Sequence, residues 1–352
     1  EGQRIDTGDC SGPKSARSVL LHPDVDAAVL ETARGGVLRE GLAFDRCDVA
    51  VVTNVGSGDH LGLNYITTVN ELAVLKRVIV QNVATTGTAV LNAADPIVAA
   101  MAAKCKGSVT FFAADKNHPV MATHRAQGHA VVFVEGGHLI AAKGELLQSI
   151  PLADVPVTLG GAIGFQVENV MASVAAAWAL GQDWASIRKG LTNFSNDSHN
   201  AAGRFNLFNY RGATVIADYG HNPDAMLALV QAVQAMPATR RAVVISGAGD
   251  RRDEDIRQQT VILGDAFDEV VMFEDQCQRG RNDGEVIALL REGLVNAKRT
   301  VKRSEVFGEF LAIDTAMDQL QPGELCLVLV DQVEEAMAHI AAKVAKANGN
   351  AA

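Results

Sequence analysis

The chain has 352 residues but only five cysteines, two tryptophans and three tyrosines, and nowhere does it contain a phosphate loop of the form GxxxxGK[ST]. The cysteines (Cys10, Cys47, Cys105, Cys277 and Cys326) are odd in number and scattered, with no CxxC spacing. That argues against a disulfide framework or a cysteine zinc site and points to a reducing cytoplasm. No apolar run reaches the roughly 18 residues needed to cross a bilayer, and the opening EGQRIDTGDCSG has no signal-peptide character. Basic residues are in deficit, 31 against 41 acidic, for a formal charge of −10. Such a balance argues against a nucleic-acid or anionic-membrane surface, but leaves room for a local basic pocket around an anion such as ATP.

What is present is an ordinary globular composition, 48% hydrophobic and 20% charged, in a chain long enough for two cores. The absence of a start methionine and the loop-like first residues lead us to expect a piece of a longer chain. DAAVLETA (26–33) and CDVAVVTNV (47–55) read as buried parallel strands, flanked by helices at SARSVLLHP and TVNELAVLKRVIVQNV (68–83), and TAVLNAADP (88–96) reads as a strand ending in a turn. From 107 to 158 period-two alternation around EGGH predicts a small antiparallel sheet appended to the parallel one. Helices follow at VENVMASVAAAWALG (167–181) and DWASIRKGLTNF. The polar SNDSHNAAGR (195–204) marks a boundary, giving domains 1–198 and 199–352. Beyond it, strands are expected at 213–217, 242–246, 269–273 and 324–330, with helices at 224–236, 254–266, 284–296 and 331–347. The fold class is α/β throughout.

Several segments carry chemistry. In ETARGG (31–36), Glu31 after an expected strand suits a metal beside a phosphate, although a carboxylate there is more often a cap or an ion-pair partner. In TNVGSGDHLGL (53–63), Asp59 and His60 sit in a glycine-rich loop suited to a Mg²⁺ or water contact, or to plain backbone hydrogen bonding. Lys76 lies on an otherwise apolar helix, where a lysine usually snorkels to solvent; it gains interest only where that helix points at the His60 site. Asp218 and His221 of DYGHNPD follow a strand and precede a helix N-terminus that attracts anions, while Asn222 and Pro223 make an ordinary helix entry. In GAGDRRDED, glycines permit close backbone approach, and Arg251 and Arg252 offer two forks for carboxylate or phosphate. No GxGxxG follows a strand, so a dinucleotide fingerprint does not fit.

ETARGG, GDHLGL with its downstream lysine, the ENVMA helix, GRFNLF, DYGHNPD and GAGDRRDED, in this order and spacing, resemble the Mur-ligase family over about residues 6–335. RGGVLREGLAFDRCDVAVVTNV, GDCSGP and RRDED resemble in particular the C-terminal half of those members that build a storage polymer of aspartate and arginine. The resemblance implies a Mur-ligase central, ATP-binding domain of parallel sheet plus small antiparallel sheet, followed by a Rossmann-like C-terminal α/β domain. It implies an ATP-dependent ligase in which a carboxylate attacks the γ-phosphate, and the resulting acyl phosphate is taken by an amine to form an amide. Here that amide joins the α-amine of arginine to the β-carboxylate of an aspartate in a poly-aspartate backbone. By the same resemblance, Glu31 and His60 are Mg²⁺ ligands and Lys76 is a lysine carbamylated to face a second Mg²⁺. Asn169 is on the adenine side of ATP, and Arg204, Asp218 and His221 close over the nucleotide. Arg251, Arg252, Arg279 and Arg281 face the incoming amino acid, where Asp253, Glu254 and Asp255 can meet a guanidinium or merely solvate a helix start. The implied partners are ATP, arginine, the aspartate polymer, an ATP-grasp half on the same or a partner chain, and further copies of this chain; neither nucleic acid nor membrane is among them.

The family's phosphate loop precedes the segment that opens this chain, so these residues alone are expected to be inactive. A catalytically silent Mur-like scaffold or binding module, and a Mur-type ligase for another amino acid, stay open as alternatives. Two departures stand out: a glycine (Gly58) where an acidic residue is usual before Asp59, and Gly220, where alanine is commoner and glycine is expected to loosen the turn.

Overall fold

Apolar, β-branched runs bounded by turns become strands only when a neighbour completes their hydrogen-bond ladder. The computed structural model describes residues 5–6, 8, 10–56, 61–62, 64–197, 200–274 and 278–349. Its chain contacts divide into two compact units, Glu1–Pro151 with Val167–Gly190, and Leu152–Gln166 with Leu191–Ala352.

The first unit is built on one six-stranded sheet: β1 (Cys47–Val52), β2 (Val83–Asn92), β3 (Ser108–Asp115), β4 (Val131–Glu135), β5 (His138–Lys143) and β6 (Leu146–Pro151), in that spatial order. β1 to β4 are parallel, and β5 and β6 continue antiparallel. The expected appended sheet is therefore an extension of the main one, and β3 and β4 belong to its parallel part. Period-two alternation reveals a half-buried strand but not its direction. Val52, Leu72, Leu91, Phe111 and Phe133 share the core beneath.

Residues 26–33 form no strand. Val29 is 98% exposed, and among the described residues β1 pairs only with β2. The run is apolar enough for a strand, but among the described residues no neighbour supplies its ladder. Helices Pro13–Leu20 and Arg34–Glu40 flank it and meet where Gly36 is buried; a Cβ there falls 2.7 Å from Pro13 Cδ, so GDCSGP and ARGG are tied by a contact only glycine allows.

The second unit carries β7 (Asn206–Tyr210), β8 (Ala213–Asp218), β9 (Arg241–Ile245), β10 (Glu269–Glu274), β11 (Lys302–Phe307) and β12 (Leu325–Leu329), ordered β11-β10-β9-β12-β8-β7. All neighbours are parallel except the β7–β8 pair. Both faces are apolar and sorted by strict alternation. Ile216, Val243, Ile245, Met272 and Leu327 pack on helices Pro223–Ala235, Asp253–Gly264 and Glu285–Gly293. Val215, Val244, Phe273, Cys326 and Val328 pack on helices Glu309–Met317 and Val333–Ala347. The chain runs outward from β9 through β10 to β11, then returns to insert β12 between β9 and β8. The sheet reverses there, so the loops after β8, β9 and β12 gather at one carboxyl edge, the place where open α/β sheets bind ligands.

Candidate functional site

In the first unit, a capping box begins helix Val69–Lys76. Thr68 Oγ1 accepts the Glu71 N–H at 3.2 Å, and Glu71 accepts the N–H groups of Thr67 and Thr68 at 2.8 and 3.0 Å. These backbone donors hold the Glu71 carboxyl below its usual range. The cap aims the helix's last residue, Lys76, at the carboxyl end of β1, where Nζ donates to the Asn54 carbonyl at 3.3 Å. The lysine therefore points at Asn54, near the start of the TNVGSGDH segment. His60 and Asp59 themselves lie outside the described residues.

The same loop is anchored by a residue that sequence reading passed over. Asp95 accepts Val55 N–H at 2.8 Å and Gly56 N–H at 3.4 Å through one oxygen, and Ile97 and Val98 N–H at 2.9 and 3.1 Å through the other. Partial burial works against the charge, but the four backbone donors outweigh it and leave the carboxyl below its ordinary value. Asp95-Pro96 at a helix start was the available signal. Glu31 lies exposed on the segment before helix Arg34–Glu40, and Asn169 is exposed on helix Gly164–Ala179 beside Glu168, whose carboxyl is raised by burial.

In the second unit, Asp218 closes β8 and is buried, 8% exposed. Burial pushes its carboxyl up to about 6 against the Gly220 and Phe205 backbone donors and the nearby Arg204 charge. Gly220 N–H donates to Asp218 Oδ1 at 2.6 Å. A Cβ on Gly220 falls 2.8 Å from Leu229 Cδ1 and 2.9 Å from Asp218 Oδ1, so a larger residue there requires those side chains to shift. His221 Nδ1 lies 2.8 Å from the Tyr219 carbonyl; a carbonyl only accepts, so Nδ1 carries a proton and donates it. Asn222 caps helix Pro223–Ala235 by accepting Ala225 N–H at 2.8 Å, as the ordinary reading had it. The Arg204 guanidinium lies 5.8 Å from the Tyr219 ring centroid, so Arg204, Asp218 and His221 are gathered around one tyrosine.

After β9, the GAGDRRDED loop is braced from behind. A Cβ on Gly249 comes 2.1 Å from the Gln278 carbonyl, so the backbones touch. Arg281 spends its guanidinium on the carbonyls of Gly249 and Arg251, both at 2.7 Å, and on Asp253 and Glu285 at 2.8 and 2.9 Å. Arg251 is buried, whereas Arg252 is exposed and grips Asp255 bidentately at 2.8 Å and Glu254 at 2.6 Å. The acidic helix start thus meets guanidinium groups of its own chain. Arg279 pairs with Asp331 at 2.9 Å and reaches Asp250 at 3.7 Å; burial opposes its charge, but these acids and Tyr219 outweigh it. One guanidinium therefore links the loops after β8, β9 and β12. Asp331 is held in turn by the buried Glu309, which accepts its N–H at 2.8 Å and that of Gln332 at 3.1 Å. No short-range pattern marks Glu309 or Asp331, because sheet order alone brings them in. Among the described residues no group of three metal-ligating side chains is assembled, and no helix is long and apolar enough to cross a membrane.

Comparison with known proteins decides the lineage. The Mur ligase middle domain matches residues 4–177, and the Mur ligase, glutamate ligase domain matches residues 203–330. The chain belongs to the Mur ligase family. It is 39% identical over 341 residues to the cyanophycin synthetase of Synechocystis sp., covering 96% of this chain and 39% of that protein. It thus spans about two fifths of that relative's length. Among solved structures, the Escherichia coli FolC complex with DHPP and ADP superposes with a TM-score of 0.63 at 20% identity, covering 89% of this chain and 66% of that one. The folylpolyglutamate synthase/dihydrofolate synthase of Yersinia pestis, complexed with AMPPNP and a Mn ion, gives 0.58 at 20%, covering 84% and 62%. At these identities the two structures establish the fold: a Mur-ligase α/β architecture.

Proposed function

We propose that this Mur ligase chain forms the arginine-adding part of an ATP-dependent amide ligase of the cyanophycin synthetase type. Its product is an amide between the α-amine of arginine and the β-carboxylate of an aspartate in a poly-aspartate backbone. The observation that carries the reading is the 39% identity to the Synechocystis enzyme across 96% of this chain. The second-unit residues named from sequence, moreover, stand on loops at one carboxyl edge of a sheet.

The chemistry suits those residues. An aspartate β-carboxylate attacks the γ-phosphorus and ADP leaves; the arginine amine then attacks the acyl carbon, loses a proton and expels phosphate. Both anions need charge compensation, and the intermediate needs protection from water. Mg²⁺, when bound, supplies the compensation. Glu31 offers it a hard oxygen, with His60 as its companion. Lys76 fits that role only in carbamylated form, since the ammonium that donates to Asn54 is no ligand. In this reading residues 1–198 bind ATP, with Asn169 toward the adenine, and Arg204, Asp218 and His221 are the nucleotide-facing residues of 199–352. Arg251, Arg252, Arg279 and Arg281 shape the amino-acid side, with Arg281 acting by bracing the loop. The remaining partners are an ATP-grasp half and further copies of the chain, in the cytoplasm.

The test is ADP release by the full-length protein with Mg²⁺, arginine and an aspartate-polymer primer. Release is expected to require both arginine and primer. A folded wild-type protein with no such turnover overturns the proposal, and turnover with another amino acid in place of arginine redirects it.

A further inference from the structure

Gln259, on helix Asp253–Gly264, is 1% exposed, yet it is polar and only half satisfied. Its Nε2 donates to the His221 carbonyl at 2.8 Å, while its Oε1 is buried with no hydrogen-bond partner. The orientation of the amide is fixed by its partner, because a carbonyl accepts and the nitrogen must face it. Burying a polar acceptor unpaired is costly, and an apolar side chain of the same length avoids that cost. Stability alone therefore gives little reason for a glutamine at this position.

The place of the bond supplies a reason. Gln259 lies one helical turn beyond Asp255, on the helix that Arg252, Asp253, Glu254 and Asp255 begin. Its partner is the backbone of the loop in which Asp218 ends β8 and His221 holds its own ring against the Tyr219 carbonyl. A buried hydrogen bond thus joins the RRDED helix to the DYGHNPD loop. We propose that Gln259 is a positioning residue: it fixes the His221 backbone, hence the imidazole, relative to the helix that faces the incoming amino acid. The proposal rests on the ligase reading for what those two loops do, but not for the existence of the coupling.

Two variants of the full-length protein test it. Gln259→Leu removes the donor and also the orphaned acceptor. It is expected to leave the melting temperature within a few degrees of wild type while lowering kcat on the order of tenfold and changing the KM for arginine and for ATP together. Gln259→Glu restores the donor only when protonated. The titratable or charged groups on the elements packed against it include Asp218 and His221 on the loop, Asp224 at the start of helix Pro223–Ala235, and Glu292 of helix Glu285–Gly293, paired with Arg257; on its own helix Asp255, held by Arg252, lies one turn before it. At high pH the carboxylate repels the His221 carbonyl and activity falls as in the leucine variant; as pH falls and the buried glutamate gains its proton, activity recovers toward wild type. A purely space-filling role does not produce that acid-side rescue. Should Gln259→Leu fail to fold, Gln259→Met has the same length, no donor and the same expected outcome.

The His221 imidazole titration, followed by NMR in wild type and Gln259→Leu, reads the coupling without turnover. A shifted His221 titration in a protein that shows no arginine-dependent ADP release preserves the positioning role and removes the ligase reading. An unchanged titration, or a Gln259→Glu pH profile that matches wild type, overturns the proposal.

Discussion

Asp218 accepts the N–H of Gly220 at 2.6 Å while itself 8% exposed, so a carboxylate with a backbone donor still has its carboxyl pushed up to about 6 by burial. The sign of its pH effect follows. Between the ordinary unfolded value of about 3.9 and about 6, the folded state holds a proton that the unfolded state has lost. The stability this group contributes is therefore complete below the unfolded value and is lost as pH rises to the folded value, to the extent of about 3 kcal/mol. Asp218→Asn should remove that slope, leaving the variant more stable than wild type above pH 6 yet less active. Urea unfolding of both proteins from pH 4 to 8 checks it; parallel stability curves contradict it.

Asp95 titrates with the opposite sign. Its carboxyl is held low by Val55, Gly56, Ile97 and Val98, so its contribution is present above the unfolded value and is lost as pH falls through the folded one. Asp95→Ala removes a helix cap and a loop anchor together, and should cost about 2–3 kcal/mol, more than a cap alone. Hydrogen exchange at the Val55 and Gly56 amides should accelerate; unchanged exchange there argues against the anchor.

Arg281 and Arg252 belong to the same loop but should behave differently. Arg281 side chain is 15% exposed and satisfies two carbonyls, whereas that of Arg252 is 43% exposed in surface ion pairs. Arg281→Ala is expected to destabilise by about 1.5–3 kcal/mol and to open residues 247–253 to proteolysis. Arg252→Ala should change stability by less than about 0.5 kcal/mol and raise the KM for arginine. Thermal unfolding with steady-state kinetics separates them, and equal stability losses contradict the assignment.

Lys76 offers a chemical test. Lys76→Arg keeps a cation near Asn54 but has no amine to carbamylate, and activity should fall on the order of 100-fold, as when a group that stabilises the transition state is lost. Bicarbonate should raise wild-type activity and leave the variant unchanged. An active Lys76→Arg protein means that the residue works as a cation.

The strands β8, β9, β10 and β12 were legible because runs such as ATVIA and RAVVIS are buried on both faces. β7 and β11 were not; they are edge strands, and in KRSEVF charged residues share the strand with the apolar ones. Helix Glu309–Met317 begins at Gly308 without a side-chain cap, so no start signal announces it. Residues 26–33 show the reverse failure, a strand-like sequence that meets no partner strand among the described residues. In the site, Asp218 and His221 follow a strand and could be named in advance. Gln259, Glu309 and Asp331 come to their positions only through the β9-β12-β8 order, which no local pattern encodes.

The proposed amide formation through an acyl phosphate on an aspartate side chain leaves an isotopic trace. Its most direct test is a single-turnover reaction of the full-length protein with an aspartate-polymer primer whose β-carboxylates carry a heavy-oxygen label, together with ATP, Mg²⁺ and arginine. One labelled oxygen should appear in the released inorganic phosphate for each arginine amide formed. Amide formation with unlabelled phosphate, or phosphate release without any amide, contradicts it.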